Sequence, residues 1–436
     1  MSSIETNTVR KVCLRIVPLL FVLWLINFLD RVNISFAALQ MNEALHFTPA
    51  VFGFGAGIFF LGYILFEIPS NLMLYKFGAR RWLTRIIVSW GIVSMAQAWI
   101  VGEHSLYSLR FLLGVAEAGY LPGMLYYLTL WVPAENRAKV IAQIMSANTV
   151  AVIIGAPLSG LIMQMDSALG VAGWQWVFVI EGGMAVVLGI FTFFYLTDKP
   201  AQASWLSNEE RTWLVAKLSS DSAVAGHAGI SDVRVAFKAP IVWMLGVLYF
   251  FVGLGFFGLT IWLPQIVKQI SGFSILAVSM ISAIPFVVGA VAMIANGKHS
   301  DRTGERRWHL SLSLLLGAAG LTASAMSSSP LVSFIAVCFS MAGISGALGV
   351  FWSVPSTFLT GQAAAGGLAL INTISGLSGF LGPYVIGFIR GLSPNFSYSL
   401  YGMAASLLIA TVLAATLPFN GARQRHPGLQ PMNAKP

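Results

Sequence analysis

Lys76-Phe-Gly78-Ala-Arg80-Arg81-Trp82 returns 226 residues later as Arg302-Thr-Gly304-Glu-Arg306-Arg307-Trp308, with the Gly, both Arg and the Trp identical. A second pair keeps nearly the same displacement: Gly155-Ala-Pro157 with Gly160 corresponds to Gly382-Pro383 with Gly387, 227 residues on. Two short segments that agree on one offset within 436 residues indicate a chain built twice. What is repeated is apolar. Hydrophobic residues make up 57% of the chain and charged residues only 9%, against roughly a quarter charged in an average soluble domain. A soluble globular protein is thereby excluded.

A bilayer core of about 30 Å takes about 20 apolar residues per helix, and Gly or Pro divides the chain into twelve pieces near that length. The first six run from Val12 to Leu39, Val51 to Leu74, Trp82 to Val101, Leu106 to Trp131, Val140 to Met163 and Trp174 to Leu196. After a polar stretch from Thr197 to Ala239 come Pro240 to Ile266, Ala277 to Asn296, Leu310 to Met326, Leu331 to Leu359, Leu368 to Phe388 and Tyr398 to Leu417. The expected architecture is an all-α membrane protein of twelve transmembrane helices arranged as two pseudo-symmetric six-helix bundles. Residues 1–196 form the first bundle, 197–239 a cytoplasmic linker, and 240–436 the second bundle with a short tail. Two similar halves around a central cavity is a transporter plan.

Alternate loops, starting from the N-terminus, hold 3, 4, 2, 5, 4, 0 and 3 Lys or Arg, whereas the opposite side holds only Lys268 and Arg390. By the positive-inside rule both termini and the linker are cytoplasmic. The net charge of +9 therefore reflects topology and does not call for a nucleic-acid partner. The start MSSIETNTVRKVCLR leads into a retained first span and not a cleaved signal peptide, since no small-residue cleavage site follows. Its brevity, and that of the C-terminal tail, argues against attached domains; a monomer in a bacterial inner membrane is expected. In the linker, Ser207-Asn-Glu-Glu210 is a capping box opening an amphipathic helix through Trp213, Leu214 and Leu218. That helix is expected to lie on the cytoplasmic interface and tether the halves.

Two arginines remain, Arg31 and Arg110, and both lie inside spans, as do the acids Asp30 and Glu117. An ionised group at mid-bilayer is costly enough to be a functional candidate by default. Asp30 stands about 22 Å and Glu117 about 17 Å into their spans at 1.5 Å per residue. Arg110 and Glu117 share a helix face but are about 10 Å apart along it, and Asp30 and Arg31 point about 100° apart. Both pairs thus need partners on other spans. A carboxylate can take up a proton while Arg stays cationic and grips a carboxylate bidentately. With both acids neutral, the cavity keeps two positive charges and suits an anion. Tyr63, Asn148, Trp352 and Asn372 lie where they can line the same cavity. The competing reading is a static ionic latch. Glu67 is nearer the cytoplasmic side, suited to gating or pairing with loop arginines, and Glu181 is near the start of its span.

Cys13 and Cys338 suggest neither a disulfide nor a metal site, and the six histidines fall in loops or at span ends. There is no nucleophile with a nearby base and no G-x-x-x-x-G-K-[ST] phosphate loop. No cofactor or metal is expected, and no enzyme activity.

Gly297-Lys-His-Ser-Asp301-Arg302-Thr-Gly304-Glu-Arg306-Arg307 resembles the G-x-x-x-D-R-x-G-R-R loop of the major facilitator superfamily. The first-half copy departs from it, with Asn71 for the first Gly and Tyr75 for the Asp. Leu29-Asp30-Arg31-Val32-Asn33, Gly78-Ala-Arg-Arg-Trp82, Arg110-Phe-Leu-Leu-Gly-Val-Ala-Glu117-Ala-Gly-Tyr-Leu-Pro122-Gly, Gly173-Trp-Gln-Trp-Val-Phe178 and Glu181-Gly182 resemble the anion:cation symporter branch. That branch includes tartrate, phthalate, hydroxyphenylacetate, nicotinate-like and sugar-acid permeases. The resemblance implies that Asp30 and Glu117 bind protons, that Arg31 holds the substrate anion with support from Arg110, and that Tyr63, Trp352 and Asn372 touch substrate. Asn148 falls where some sugar-acid carriers have Gln. Gly297, Asp301, Arg302, Gly304, Arg306 and Arg307 are implied to form the conformational loop. The expected activity is proton-coupled uptake of a small organic carboxylate, aromatic or hydroxy-acid, with the proton as coupling ion. An exchanger or uniporter of the same fold is the alternative. A drug or cation extruder fits less well with two buried arginines.

Overall fold

A computed structural model describes residues 3–225, 238–355 and 361–418, and among them every regular element is helical. The first bundle contains α1 (Ser3–Ala44), α2 (Pro49–Phe77), α3 (Ala79–Ala96), α4 (Glu103–Glu117), α5 (Tyr120–Thr129), α6 (Ala134–Met145), α7 (Ala147–Ile162) and α8 (Gly173–Tyr195). A linker helix, α9 (Asn208–Ala225), leads to the second bundle of α10 (Pro240–Ser271), α11 (Ile275–Thr303), α12 (Arg307–Met326), α13 (Pro330–Phe351), α14 (Gly361–Gly391) and α15 (Ser397–Thr416). Ten helical stretches among the described residues are long and apolar enough to cross a membrane.

Two expected spans depart from a simple apolar rod. Arg80, Arg81 and Arg85 stand in the first two turns of α3. The fourth span is broken in two: Glu117 ends α4, and Gly119, at φ +83°, turns the chain into α5. Pro122 explains the break, because it has no N–H to offer the carbonyl a turn earlier. A side chain at Gly119 would also strike Ser70, whose Oγ lies 2.5 Å from the Cβ position. A membrane helix interrupted beside a buried charge is typical of transporter binding sites.

The sequence repeat reappears in the packing. In the first half α1 packs on α7 and α8, α2 on α4, and α3 on α8 and α4. In the second half α10 packs on α14 and α15, α11 on α13, and α12 on α15 and α13. The halves meet mainly along α1 with α10, α2 with α14, and α7 with α11. Gly53 of α2 brings the backbones together, since a Cβ there would lie 2.5 Å from Pro383 O. Asn42 on α1 donates to Gln265 on α10 at 3.4 Å, and Phe52 packs edge-on to Trp262 at 5.0 Å. This seam follows α2 as far as Ile64, which meets Gly376. Beyond it Leu65, Ile68, Leu72 and Tyr75 are exposed. The central cavity is thus closed where α2 begins and open where α2 ends.

The linker helix does more than lie on an interface. Its capping box forms, with Glu210 N donating to Ser207 Oγ at 3.2 Å and Ser207 N to Glu210 Oε2 at 2.9 Å. Glu210 also binds Lys11 of α1 at 2.5 Å, and Asp221 Oδ2 accepts from Ala134 N at the start of α6 at 2.8 Å. Leu214 is fully buried, and Trp205 stacks on Trp131 at 5.4 Å. The helix is docked on the first bundle.

Candidate functional site

The buried charges converge from α1, α4 and α8. Adjacent on α1, Asp30 and Arg31 diverge as helix geometry requires. Arg31 turns toward α4, where its Nε and a terminal guanidinium nitrogen both reach Glu117 Oε1. Glu117 is fully buried, whereas the Arg31 side chain stays 17% exposed, so Arg31 is the member of this pair that can meet a solute. Its guanidinium lies 5.0 Å over the ring of Tyr63 and 5.5 Å over that of Phe59. Phe59 also carries Arg110 at 5.2 Å on α4. One ring thereby faces two cations, and its quadrupole offsets part of their repulsion.

Arg110 is buried, at 1% exposure. Its nearest hydrogen-bond acceptor is Ala56 O at 3.5 Å, and its Nε and one terminal nitrogen have no partner. In this conformation it supports the site from behind and does not face the cavity. Asp30, also fully buried, accepts from Ser94 Oγ on α3 at 2.6 Å and from Asn33 Nδ2 at 3.1 Å, both on Oδ1.

The other expected residues are dispersed. Tyr63 joins the Arg31 group. Asn148 is half-buried on α7, seven residues before Gly155, which meets Leu29, and its Oδ1 has no partner. Trp352 is 42% exposed just past α13 and packs edge-on against Tyr249 at 5.1 Å, while Tyr249 stacks on Phe351 at 4.4 Å. Asn372 is exposed on α14, one turn before Gly376. No contact joins the second-half residues to Arg31 among the described residues; they stand across the open cavity.

The loop motif is closed in the second half. Arg306 pairs with Asp301 at 2.6 Å, Gly304 takes φ +67° as the cap of α11, and Asn296, one residue before Gly297, donates to Ser313 Oγ at 3.0 Å and Gly346 O at 2.9 Å. In the first half the missing acid at position 75 is replaced from elsewhere. Asp198, beyond α8, accepts from Arg80 N at 2.9 Å and pairs with the Arg80 side chain at 3.4 Å.

Three participants escape the sequence reading. Glu181 is not at the end of its span but fully buried within α8, accepting from Ser159 Oγ of α7 at 2.8 Å. Asn27, one turn before Arg31, is fully buried beside the Arg31–Glu117 pair, with neither side-chain amide atom partnered. Glu67 lies in the field of Arg31, not with loop arginines. The available signal for Asn27 was its spacing of four from Arg31 on one helix face; for Glu181 it was a lone acid in an apolar run.

The Major Facilitator Superfamily matches residues 20–383. A protein of Agrobacterium vitis named for tartrate transport is 46% identical over 432 residues, covering 97% of this chain and 98% of that protein. A quinolone resistance transporter of Acinetobacter baumannii is 39% identical over 409 residues, covering 94% of both. Among solved structures, a D-xylose–proton symporter superposes with a TM-score of 0.76 at 15% identity, covering 94% of this chain and 99% of that one, a likeness of fold.

Proposed function

The chain belongs to the Major Facilitator Superfamily, a multi-pass membrane transporter and not an enzyme, and from that premise we propose that it takes up a small organic carboxylate together with protons across a bacterial inner membrane. In this reading it has twelve spans, cytoplasmic termini, no cofactor beyond the coupling proton, and works as a monomer. The cavity of this conformation then opens to the cytoplasm. The observation that carries the proposal is the ion pair between Arg31, which faces the cavity, and Glu117, which does not.

An arginine already neutralised by a buried acid is a poor anion receptor. Protonating Glu117 removes its charge, frees the guanidinium fork for a solute carboxylate, and leaves Arg31 paired with that carboxylate instead. The order is thus enforced by charge: proton first, anion second, then closure and rocking of the halves. Release reverses it, because loss of the proton lets Glu117 reclaim Arg31. Asp30 serves as the second proton-binding acid, behind the site. Tyr63, Asn148, Trp352 and Asn372 line the path of the substrate, with the aromatic face at Tyr249, Phe351 and Trp352 opposite the cation. Similarity to the Agrobacterium vitis protein favours a tartrate-like hydroxy acid.

Purified protein in vesicles, given external tartrate, is expected to alkalinise the medium as tartrate enters. Robust tartrate flux without proton movement would refute proton coupling and leave the exchanger or uniporter. Glu117→Gln is expected to abolish gradient-driven accumulation while retaining tartrate exchange. The resistance-transporter relative makes outward transport of a quinolone the third outcome to score, and net extrusion with no tartrate uptake would replace the proposal.

A further inference from the structure

Four ionisable side chains, Asp30, Glu117, Glu181 and Arg110, are buried where α1, α3, α4, α7 and α8 meet, and the partly exposed Arg31 joins them. Three acids against two cations leave one surplus negative charge in a membrane interior, where an unpaired ion is very unfavourable. The imbalance is local. Glu117 has Arg31; Arg110 acts on Asp30 only from a distance; and no Lys, Arg or His nitrogen lies within 4.0 Å of Asp30 or Glu181 among the described residues.

These two acids are joined by one amide. Asn33 donates to Asp30 Oδ1 at 3.1 Å and stands between it and Glu181, and the two carboxylates lie within each other's electrostatic field. Asp30 Oδ2, Glu181 Oε2 and Asn33 Oδ1 are buried acceptors without a hydrogen-bond partner, and the one unpartnered donor facing them among the described residues is the Trp90 indole N–H, which is directed to Asp30. Turning the amide over does not help, since it would aim the Asn33 carbonyl at the Asp30 carboxylate. Even with Trp90 serving Asp30, Glu181 Oε2 has no hydrogen, and a proton supplies it.

The other elements around Glu181 offer no cation. α7 contributes Ser159 and carries no charged residue; α3 places its arginines 80, 81 and 85 at the far end from Ser94; α8 has no other charge; and Arg31 on α1 is turned to Glu117. Gln97, the residue after α3, is fully buried with both amide atoms unpartnered.

We propose that Glu181 is a further proton-binding site of this transporter, and that Glu181 and Asp30, on either side of Asn33, hold one proton between them, taken from solvent, while Asn33 keeps both of its amide hydrogens. The step is a proton transfer only: the hydrogen resides on a carboxylate oxygen of Glu181 or of Asp30, and the other member keeps the negative charge. Its link to coupled transport rests on the proton-symport reading above, but its existence does not.

Two measurements test it on the full-length protein in membranes. In pH-difference infrared spectra the wild type is expected to show a protonated-carboxyl stretching band that is lost or displaced in Glu181→Gln and altered by Ser159→Ala, which removes a donor to Glu181. In vesicles with labelled tartrate as the probe, Glu181→Gln is expected to move the pH of half-maximal uptake by about one unit to the acid side, because Asp30 no longer shares its charge with a second acid. A carboxyl band unchanged in both variants would overturn the site. An altered band with an unmoved uptake profile would restrict it to a static shared proton and overturn its part in coupling. Absence of proton-linked uptake in the wild type would instead overturn the symport reading, while the infrared comparison would still decide the site.

Discussion

Gly53→Ala is a direct handle on the cavity's closed end. Position 53 sits on α2 where the two halves touch, and a methyl group there would lie 2.5 Å from Pro383 O and 3.2 Å from Gly387 Cα. Both are backbone atoms of α14 and cannot swing aside as a flexible side chain would, so the helices must separate. Overpacking of this kind costs about 2 kcal/mol, which corresponds to about a 30-fold shift in population toward conformations in which α2 and α14 have parted. The cost falls only on the state closed at this end, which makes the variant a bias and not a general lesion. With Cys13 and Cys338 replaced, Asn42→Cys provides a probe on α1 at the same seam, where Asn42 meets Gln265. Membrane-impermeant maleimide added from outside is expected to label it up to about 30-fold faster when Gly53→Ala is present, and steady-state tartrate uptake is expected to fall because return to the closed state is hindered. Gly183→Ala, with nothing within 4 Å of its Cβ position, is the control and is expected to change neither. Labelling and uptake both at control levels in Gly53→Ala would refute the assignment of this contact as the closing seam.

Further expectations concern charge and capping. Arg31→Ala strands Glu117 in a fully buried site, a change costing about 3–5 kcal/mol, so thermal stability is expected to fall sharply. Arg31→Ala with Glu117→Gln is expected to recover most of that loss without recovering tartrate binding; equal instability of single and double variants would show that the pair is not the source of the effect. At the linker, the Lys11 ammonium bonded to Glu210, with the Ser207 backbone N–H, holds the Glu210 carboxyl below its usual range. A depressed folded-state value means that docking is strongest above the ordinary carboxylate range and weakens as the pH falls through the depressed value. Glu210→Gln keeps the capping box but removes the charge that binds Lys11, and is expected to mimic the acid state at neutral pH, reducing amide-exchange protection of 208–225 by up to about fivefold, the worth of an ion pair near 1 kcal/mol. Unchanged protection would refute the docking role. Asn296→Ala removes donors to Ser313 and Gly346, and increased amide exchange at the α12 and α13 ends facing it is expected; protection equal to the wild type would show that the three helices hold without it.

Why some of this could be read in the sequence follows from scarcity. Where charges are rare, each one inside a span stands out, and the divergence of Asp30 from Arg31 is a matter of helix angle alone. That Arg31 must find its acid on another span also follows; which acid it finds depends on how the helices pack. Other features depend on information outside any local window. Glu181 follows two tryptophans that look like an interfacial belt, and its depth in α8 becomes visible only when α1 and α7 cover it. The amphipathic pattern of α9 shows that one face is buried but not that α1 and the start of α6 bury it. Tyr75 in place of an acid looks like a defective loop until Asp198, more than a hundred residues later, is seen to fill the gap. The break after Glu117 had a local cause in Gly119 and Pro122, but the apolar run through it hides the interruption.

The two halves are alike in path and unlike in chemistry, and that difference bears on how coupling and selectivity divide. Every buried ionisable residue of the described membrane helices lies in the first half; the buried polar groups of the second half are Ser and Thr. Serine and threonine can close their hydrogen bonds within the helix, as Ser282 does to Val278 O and Ser378 to Ser375 O, so they permit close packing without imposing a charge requirement. If proton and anion are both held by α1, α2, α4 and α8, the second half needs only to present a wall of the right shape and then move. Its Tyr249, Phe351 and Trp352 cluster supplies such a wall. Changes there are accordingly expected to alter which carboxylate is carried while leaving the number of protons per anion intact, whereas changes at Glu117, Asp30 or Glu181 should do the reverse. Trp352→Ala and Glu181→Gln compared for tartrate and an aromatic acid such as nicotinate would decide this division, and a Trp352 variant with altered proton count would show that the two functions are not separable by half.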